Sequence, residues 1–348
     1  MIPYIEIIDK YTLKKFAQIE PRECWFELKY YDVGEFEIYA RATPKNLSIL
    51  KKGHFVKIPN KRYIWVIKSI KKGFTAGGEK MIIAKGYEAK WLLKLGAIET
   101  PVQLPTTLSS AIVKLIENFL IKYINNFGFE LINIDIPLNE TQATRGNLLE
   151  FVNKLLKTYN CGSQVVYENE QLKYKILQGQ DKTKTVKFSQ SLDNLLSSEY
   201  FTSDENVATH ALVVCKVNDI EYTEEYDIGK TGIDRASIVV NSNLSTKYED
   251  ASGEEKELDL TNEADLALFK QWLREEGKKE LANHDTIEEV NGEIDLSNSM
   301  YSFEKNFNLG DIVRIQDEYL DYYMNAQILK YTFKQDKKYN EEAEYGGQ

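Results

Sequence analysis

The sequence predicts an α+β fold that is mainly β: two related small β-barrel domains flank an α+β middle segment, and a helix is inserted in the second barrel. Three observations carry this. Short β-branched and aromatic runs, separated by Gly, Asp, Asn and Pro, fill both ends of the chain. Apolar residues at helical spacing are confined to a few stretches between them. Finally, Gly53-His54-Phe55-Val56-Lys57-Ile58 returns 257 positions later as Gly310-Asp311-Ile312-Val313-Arg314-Ile315. Each copy is followed by a polar turn and a second strand, Tyr63 to Ile70 and Ala326 to Thr332, which is the order an internal duplication leaves.

Taken in order, residues 1–95 read as the first barrel. Its strands run Tyr4 to Ile8, Cys24 to Tyr31, Phe36 to Ala40, Phe55 to Ile58, Arg62 to Ile70 and Lys80 to Gly86. Asp32-Val33-Gly34-Glu35, Pro59-Asn60 and Thr75-Ala76-Gly77-Gly78 supply the turns, and Glu88 to Leu95 is a short helix.

Residues 96–190 read as the α+β middle domain. Thr106 or Thr107 caps a helix carrying Leu108, Ile112, Leu115, Ile116, Phe119 and Tyr123 on one side. A second helix, Asn147 to Tyr159, buries Leu148, Phe151, Val152 and Leu155, with Gly162 placed as its C-terminal cap. A hairpin follows, Gln164 to Tyr167 and Leu172 to Leu177.

Residues 191–348 read as the second barrel, with strands at Glu199 to Thr202, Ala208 to Val217, Ile220 to Tyr226, Ser237 to Val240 and Glu288 to Leu296. A helix over 263–283 is inserted, and the acidic stretch Glu249 to Glu257 reads as a solvated loop. The chain closes on the second copy of the repeat. There Gly310, like Gly53, is placed for a paired tight turn that needs positive φ, and the Asp311 carboxylate for accepting a nearby backbone N–H.

Bulk properties exclude several classes of function. A formal net charge of −10 over 348 residues argues against specific nucleic-acid binding, which rests on clustered Lys and Arg. Cys24, Cys161 and Cys215 are scattered, so neither a disulfide framework nor a Cys-x-x-Cys site is predicted. The most apolar helical stretch, Leu108 to Ile124, carries Lys114, Glu117 and Lys122, so no membrane insertion is predicted. An N-terminus whose apolar run is broken early by charge points to synthesis in a cytoplasm.

The chain offers little catalytic chemistry. His54, His210 and His284 form no cluster with metal-ligand spacing, so no metal, cofactor or catalytic residue is assigned. Gly73 to Lys80 resembles a phosphate loop, yet Glu79 stands where the lysine belongs and the flanks read as strands; a hairpin is predicted instead. His210 and Cys215, five apart on one strand, point to opposite faces.

Phe26 to Ile38, Leu192 to Tyr200, Gly232 to Arg235, the helix with Leu273 to Ala282, and Phe307 to Val313 together resemble, in order, the baseplate-hub proteins of phage tails. These include the hub of T-even phages and the N-terminal region of tail-associated lysins. The resemblance implies a structural virion protein and no enzyme. It implies a homotrimeric ring that continues the tail tube at its distal end and contacts tube and distal-tail proteins. It also implies that the ring seats a spike or the tape-measure end and organises baseplate or receptor-binding proteins, with DNA passing through the lumen. Assembly would take place in the bacterial cytoplasm. Two other readings stand beside it: a cell-wall hydrolase, and a carbohydrate-binding tail-tip protein using Tyr319, Tyr322 and Tyr323.

Overall fold

Alternating apolar and polar residues set the strands, and burial follows the alternation. In the strand Glu23–Lys29 it is Cys24, Phe26 and Leu28 that point inward. The computed structural model describes residues 2–74, 77–124, 126–130, 134–138, 142–249, 255–281, 283–284, 287–297, 299–319, 322–336 and 338–347.

The first elements are β1 (Ile5–Ile8), β2 (Lys15–Ile19), β3 (Glu23–Lys29), β4 (Glu35–Arg41), a short helix α1 (Pro44–Ile49), β5 (Phe55–Lys57), β6 (Ile64–Phe74) and β7 (Lys80–Glu88). Next come α2 (Leu108–Phe119), α3 (Leu148–Thr158), the hairpin β8 (Cys161–Glu168) and β9 (Gln171–Gln178), then β10 (Lys187–Ser189) and β11 (Leu195–Ser203). After these follow β12 (His210–Val217), β13 (Ile220–Asp227), β14 (Ser237–Ser242), α4 (Glu263–Leu281), β15 (Ile287–Asp295), β16 (Ile312–Asp317), β17 (Tyr322–Gln335) and β18 (Tyr339–Gly347). They make two compact units, one of residues up to Glu199 with Val290–Gly347, the other Tyr200–Glu289.

The first unit is organised on a 13-stranded sheet in the order β11-β15-β18-β17-β3-β4-β7-β6-β5-β1-β2, with β16 paired to β17 and β10 to β16. Strands from both β segments anticipated as separate barrels therefore share one sheet, whereas the anticipated second-barrel strands from Ala208 to Val240 form a sheet of their own, and no closed barrel is found among the described residues. The physical cause is the length of β17. Its 14 residues pair along one edge with β18, and along the other first with β16 (Gln327 opposite Ile312) and then with β3 (Phe333 opposite Phe26). Beneath this join lies an aromatic layer. Phe26 packs on Trp65 at 4.8 Å and on Phe36 at 5.5 Å between ring centres, and Tyr331 on Phe303 at 3.9 Å. Each such buried ring contributes about 2–3 kcal/mol.

The middle segment packs its helices on the β8–β9 hairpin through a second apolar cluster that includes Leu115, Ile116, Leu148, Val152 and Val165. Asn147 caps α3, its side chain accepting from the Leu149 N–H at 3.0 Å. Asn160, with φ 52, takes the left-handed position at the end of that helix. Gly162 lies instead in β8, where a Cβ would fall 2.4 Å from the Tyr30 ring. The helix anticipated over Glu88 to Leu95 is a 3-10 helix, Ala89–Leu95. Its Lys90 is fully buried and donates to the backbone carbonyls of Lys29 and Ser163, which ties β3 to β8. Burial lowers the Lys90 ammonium's pKa, although Glu88 alongside favours the charged form.

The second unit is a three-stranded sheet, β13-β12-β14, with α4 laid across it so that Phe269 and Leu273 cover Val213 and Cys215. Gly277 permits the approach, because a Cβ there would come within 2.9 Å of Val213. In the acidic stretch anticipated as a loop, Lys247–Glu249 and Glu255–Glu257 pair as antiparallel strands, and residues 250–254 lie outside the described residues.

A candidate assembly interface

The two copies of the sequence repeat adopt the same backbone arrangement. Gly53 and Gly310 have φ of 89° and 87°. The Gly53 N–H donates to Ile67 O at 2.7 Å and the Ile67 N–H to His54 O at 2.9 Å. In the second copy the Gly310 N–H donates to Ile328 O at 2.8 Å and the Ile328 N–H to Asp311 O at 3.0 Å. Register then slips in both long strands at the same step, between Ile67 and Ser69 in β6 and between Ile328 and Lys330 in β17. Strand order agrees as well. The run β3-β4-β7-β6-β5 corresponds to β11-β15-β18-β17-β16. The connection is longer by four residues in the second copy, as the spans Gly53 to Ile67 and Gly310 to Ile328 show.

Asp311 does more than its analogue His54. Its buried carboxylate accepts the Asn308 N–H and the Gln180 N–H, each at 2.8 Å, so it joins its own turn to the segment after β9. That long-range bond carries no sequence signal. Gly310 also lies against Tyr30, whose hydroxyl donates toward Asn160 O (3.0 Å) and Leu177 O (3.1 Å) and accepts the Gly179 N–H (3.2 Å).

The face of the sheet turned away from the core carries charge in cross-strand pairs. Lys85 meets Glu37, Lys330 meets Glu344, and Lys330 reaches Glu27 across the join at 3.6 Å. Partial burial works against the Lys330 ammonium, yet Glu344 and Glu27 together raise its pKa. Such pairs add little stability singly, but like charges opposite one another would penalise other registers.

Among the edges that carry no strand partner among the described residues are the outer half of β6, Ser69–Phe74, beyond its pairing with β5, and the outer edge of β11. Leu196 on β11 is 54% exposed and Phe74 at the end of β6 is 81% exposed, an arrangement that monomeric proteins avoid on open edges.

Residues considered for chemistry are dispersed. His54 is packed on Phe16 at 5.0 Å between ring centres, with its Nδ1 accepting the Lys10 N–H at 3.3 Å. Cys215 is buried under α4, and burial pushes the Cys24 thiol up to about 12, far from thiolate chemistry at neutral pH. No cluster of metal-ligating side chains occurs among the described residues. The strands β6 and β7 flank the glycine-rich 73–80 stretch, so no helix N-terminus follows it; residues 75–76 lie outside the described residues. Of the tyrosines, Tyr319 is 85% exposed, Tyr322 contacts Ser198, and Tyr323 stacks under the Arg314 guanidinium at 5.7 Å.

The family model of siphovirus ReqiPepy6 Gp37-like proteins matches residues 5–346. The chain belongs to this family. Its fold is that of phage tail proteins. The tail protein from Neisseria meningitidis MC58 aligns over 99% of this chain and 96% of its own, with TM-score 0.57 at 12% identity. The 43 kDa tail protein of prophage MuSo2 from Shewanella oneidensis gives 0.57 and 12% over 99% and 97%. A Francisella PdpA–VgrG complex gives 0.50 and 10% over 99% of this chain and 57% of that one. No curated protein matches the chain.

Proposed function

We propose that the chain is a non-enzymatic structural hub at the distal end of a phage tail, acting as a homotrimeric ring that continues the tail tube. The observation that carries this reading is the doubled arrangement, in which one chain holds the same strand order, glycine turn and register slip twice. A threefold assembly of such chains presents six similar sheet segments, which lets it abut a sixfold tube without a mismatch. In this reading residues 1–95 and 191–348 supply the two related segments and 96–190 lies between them. Gly53, Gly310 and Asp311 act as architectural turn residues.

The charged face of the sheet lines the conduit, where its acids keep DNA phosphates from adhering. The ring seats a spike or the tape-measure end, as the VgrG relationship suggests, and carries baseplate or receptor-binding proteins. The chain works in the virion tail after assembly in the host cytoplasm. The test is the mass of the purified chain by light scattering, alone and with the distal-tail and tube proteins of the same particle. A trimer, or trimerisation on adding the tube protein, is the outcome that supports the proposal. A monomer that binds neither protein overturns it.

A further inference from the structure

The join between β17 and β3 is where strands of the two repeats pair within a chain, and it leaves a remainder. In the second repeat, β17 uses its outer half, Lys330–Gln335, to pair with β3 of the first. The corresponding half of β6, Ser69–Phe74, has the same position after the same register slip but no strand beside it among the described residues. On the other side, β3 is satisfied by β17, whereas its counterpart β11 has β15 alone among the described residues. Of the edges left open among the described residues, these two are the equivalents of the two edges already joined.

We infer that the outer half of β6 in one copy pairs antiparallel with the Leu195–Glu199 edge of β11 in a second copy of this chain, repeating the β17–β3 join between molecules. This deepens the ring reading and rests on it. The interface is heterologous, so it closes only as a ring, and with three chains it alternates with the three internal joins.

The register follows by transfer. Lys330 corresponds to Ser69 through the shared slip. On the acceptor side, the Asp295 N–H donates to Asn194 O at 3.2 Å, and Ser197 O lies 2.3 Å from where a Gly292 Cβ would be; this sets β11 against β15 and makes Ser197 the counterpart of Phe26. The internal pair Phe333 opposite Phe26 thus becomes Lys72 opposite Ser197, and Gln335 opposite Cys24 becomes Phe74 opposite Leu195. On that face Phe74 meets a partly buried leucine, and Lys72 has Glu199 as its diagonal neighbour. The exposed apolar and basic character of this β6 segment thus meets apolar and acidic groups.

Cysteine pairing tests the register directly, because directly opposed residues lie within disulfide reach and residues on opposite faces do not. Lys72 and Ser197 are both exposed, so neither substitution removes packing. Full-length Lys72→Cys and Ser197→Cys chains, mixed and mildly oxidised, are run on a non-reducing gel, and the double variant is treated likewise. The inference requires a one-to-one covalent dimer from the mixture, little from either single variant, and covalent trimer from the double variant. Lys71→Cys with Ser197→Cys, whose side chains point to opposite faces, should cross-link several-fold less. If light scattering shows a trimer while Lys72→Cys and Ser197→Cys stay uncoupled, the seam is wrong and the ring survives. A monomer with no cross-link overturns both.

Discussion

Gly53 and Gly310 occupy equivalent turns with nearly equal φ, yet alanine at the two positions has very different consequences. Both substitutions force a β-carbon into the left-handed region, at a cost of about 1 kcal/mol. At Gly53 the new methyl meets Lys10 Cδ at 2.9 Å, the far end of a flexible side chain that can swing away. At Gly310 it would fall 2.2 Å from Tyr30 Cε2. That ring is fully buried, flanked by Gly162 on β8, and its hydroxyl is engaged with Asn160, Leu177 and Gly179. Overpacking adds about 1–3 kcal/mol, and a displaced hydroxyl loses hydrogen bonds worth about 1 kcal/mol each. Gly53→Ala should therefore cost about 1 kcal/mol and Gly310→Ala about 3–5 kcal/mol. The assay is urea unfolding of the full chain by tryptophan fluorescence, since Trp25, Trp65 and Trp91 all report on the first unit. Equal losses at the two glycines, or a loss at Gly310 no larger than the φ penalty, would refute the argument that Tyr30 is clamped there.

Other perturbations follow from the same contacts. Asp311→Ala removes the acceptor of the Asn308 and Gln180 N–H groups at a part-buried site and should lower stability by about 1–2 kcal/mol by urea unfolding, with Asp311→Asn intermediate. Partial burial works to raise the Glu6 pKa, but hydrogen bonds from Lys15 (2.8 Å) and Lys57 (3.1 Å) outweigh it, and the carboxyl is held below its usual range. A depressed carboxyl contributes stability above its unfolded value of about 4.3 and loses it as pH falls through the folded one. Denaturation midpoints of wild type and Glu6→Gln should therefore differ at pH 7 and converge in acid; a constant difference would contradict the pairing. Finally, Cys24, Cys161 and Cys215 are all buried, so a thiol reagent at neutral pH should label them only after denaturant is added, as read by intact mass.

Much of the strand inventory was legible because the apolar alternation and turn residues are local signals. The edges of β3, β4 and β7 fall within two residues of their anticipated positions, and α3 begins at its Asn147 cap. Two elements left weak traces: β2 is largely exposed, and α1 has only six residues and no buried side chain. The merging of two β segments into one sheet was not legible. Whether Lys330–Gln335 pairs with β3 or closes back on its own segment depends on contacts some 300 positions apart, which strand periodicity does not encode. The two turn glycines were recognisable from a repeated hexapeptide. Tyr30, the residue that makes one of them indispensable, was not, because its partners come from β8, the segment after β9 and the second repeat.

The unit Tyr200–Glu289 interrupts the first unit between β11 and β15, strands that are neighbours in the same sheet. Chain leaves and re-enters at adjacent points, as it does across an ordinary hairpin, so the excursion's length bears little on the host scaffold's closure entropy. Such a site is a natural cassette position: lineages could exchange or trim the guest while leaving the scaffold's pairing intact.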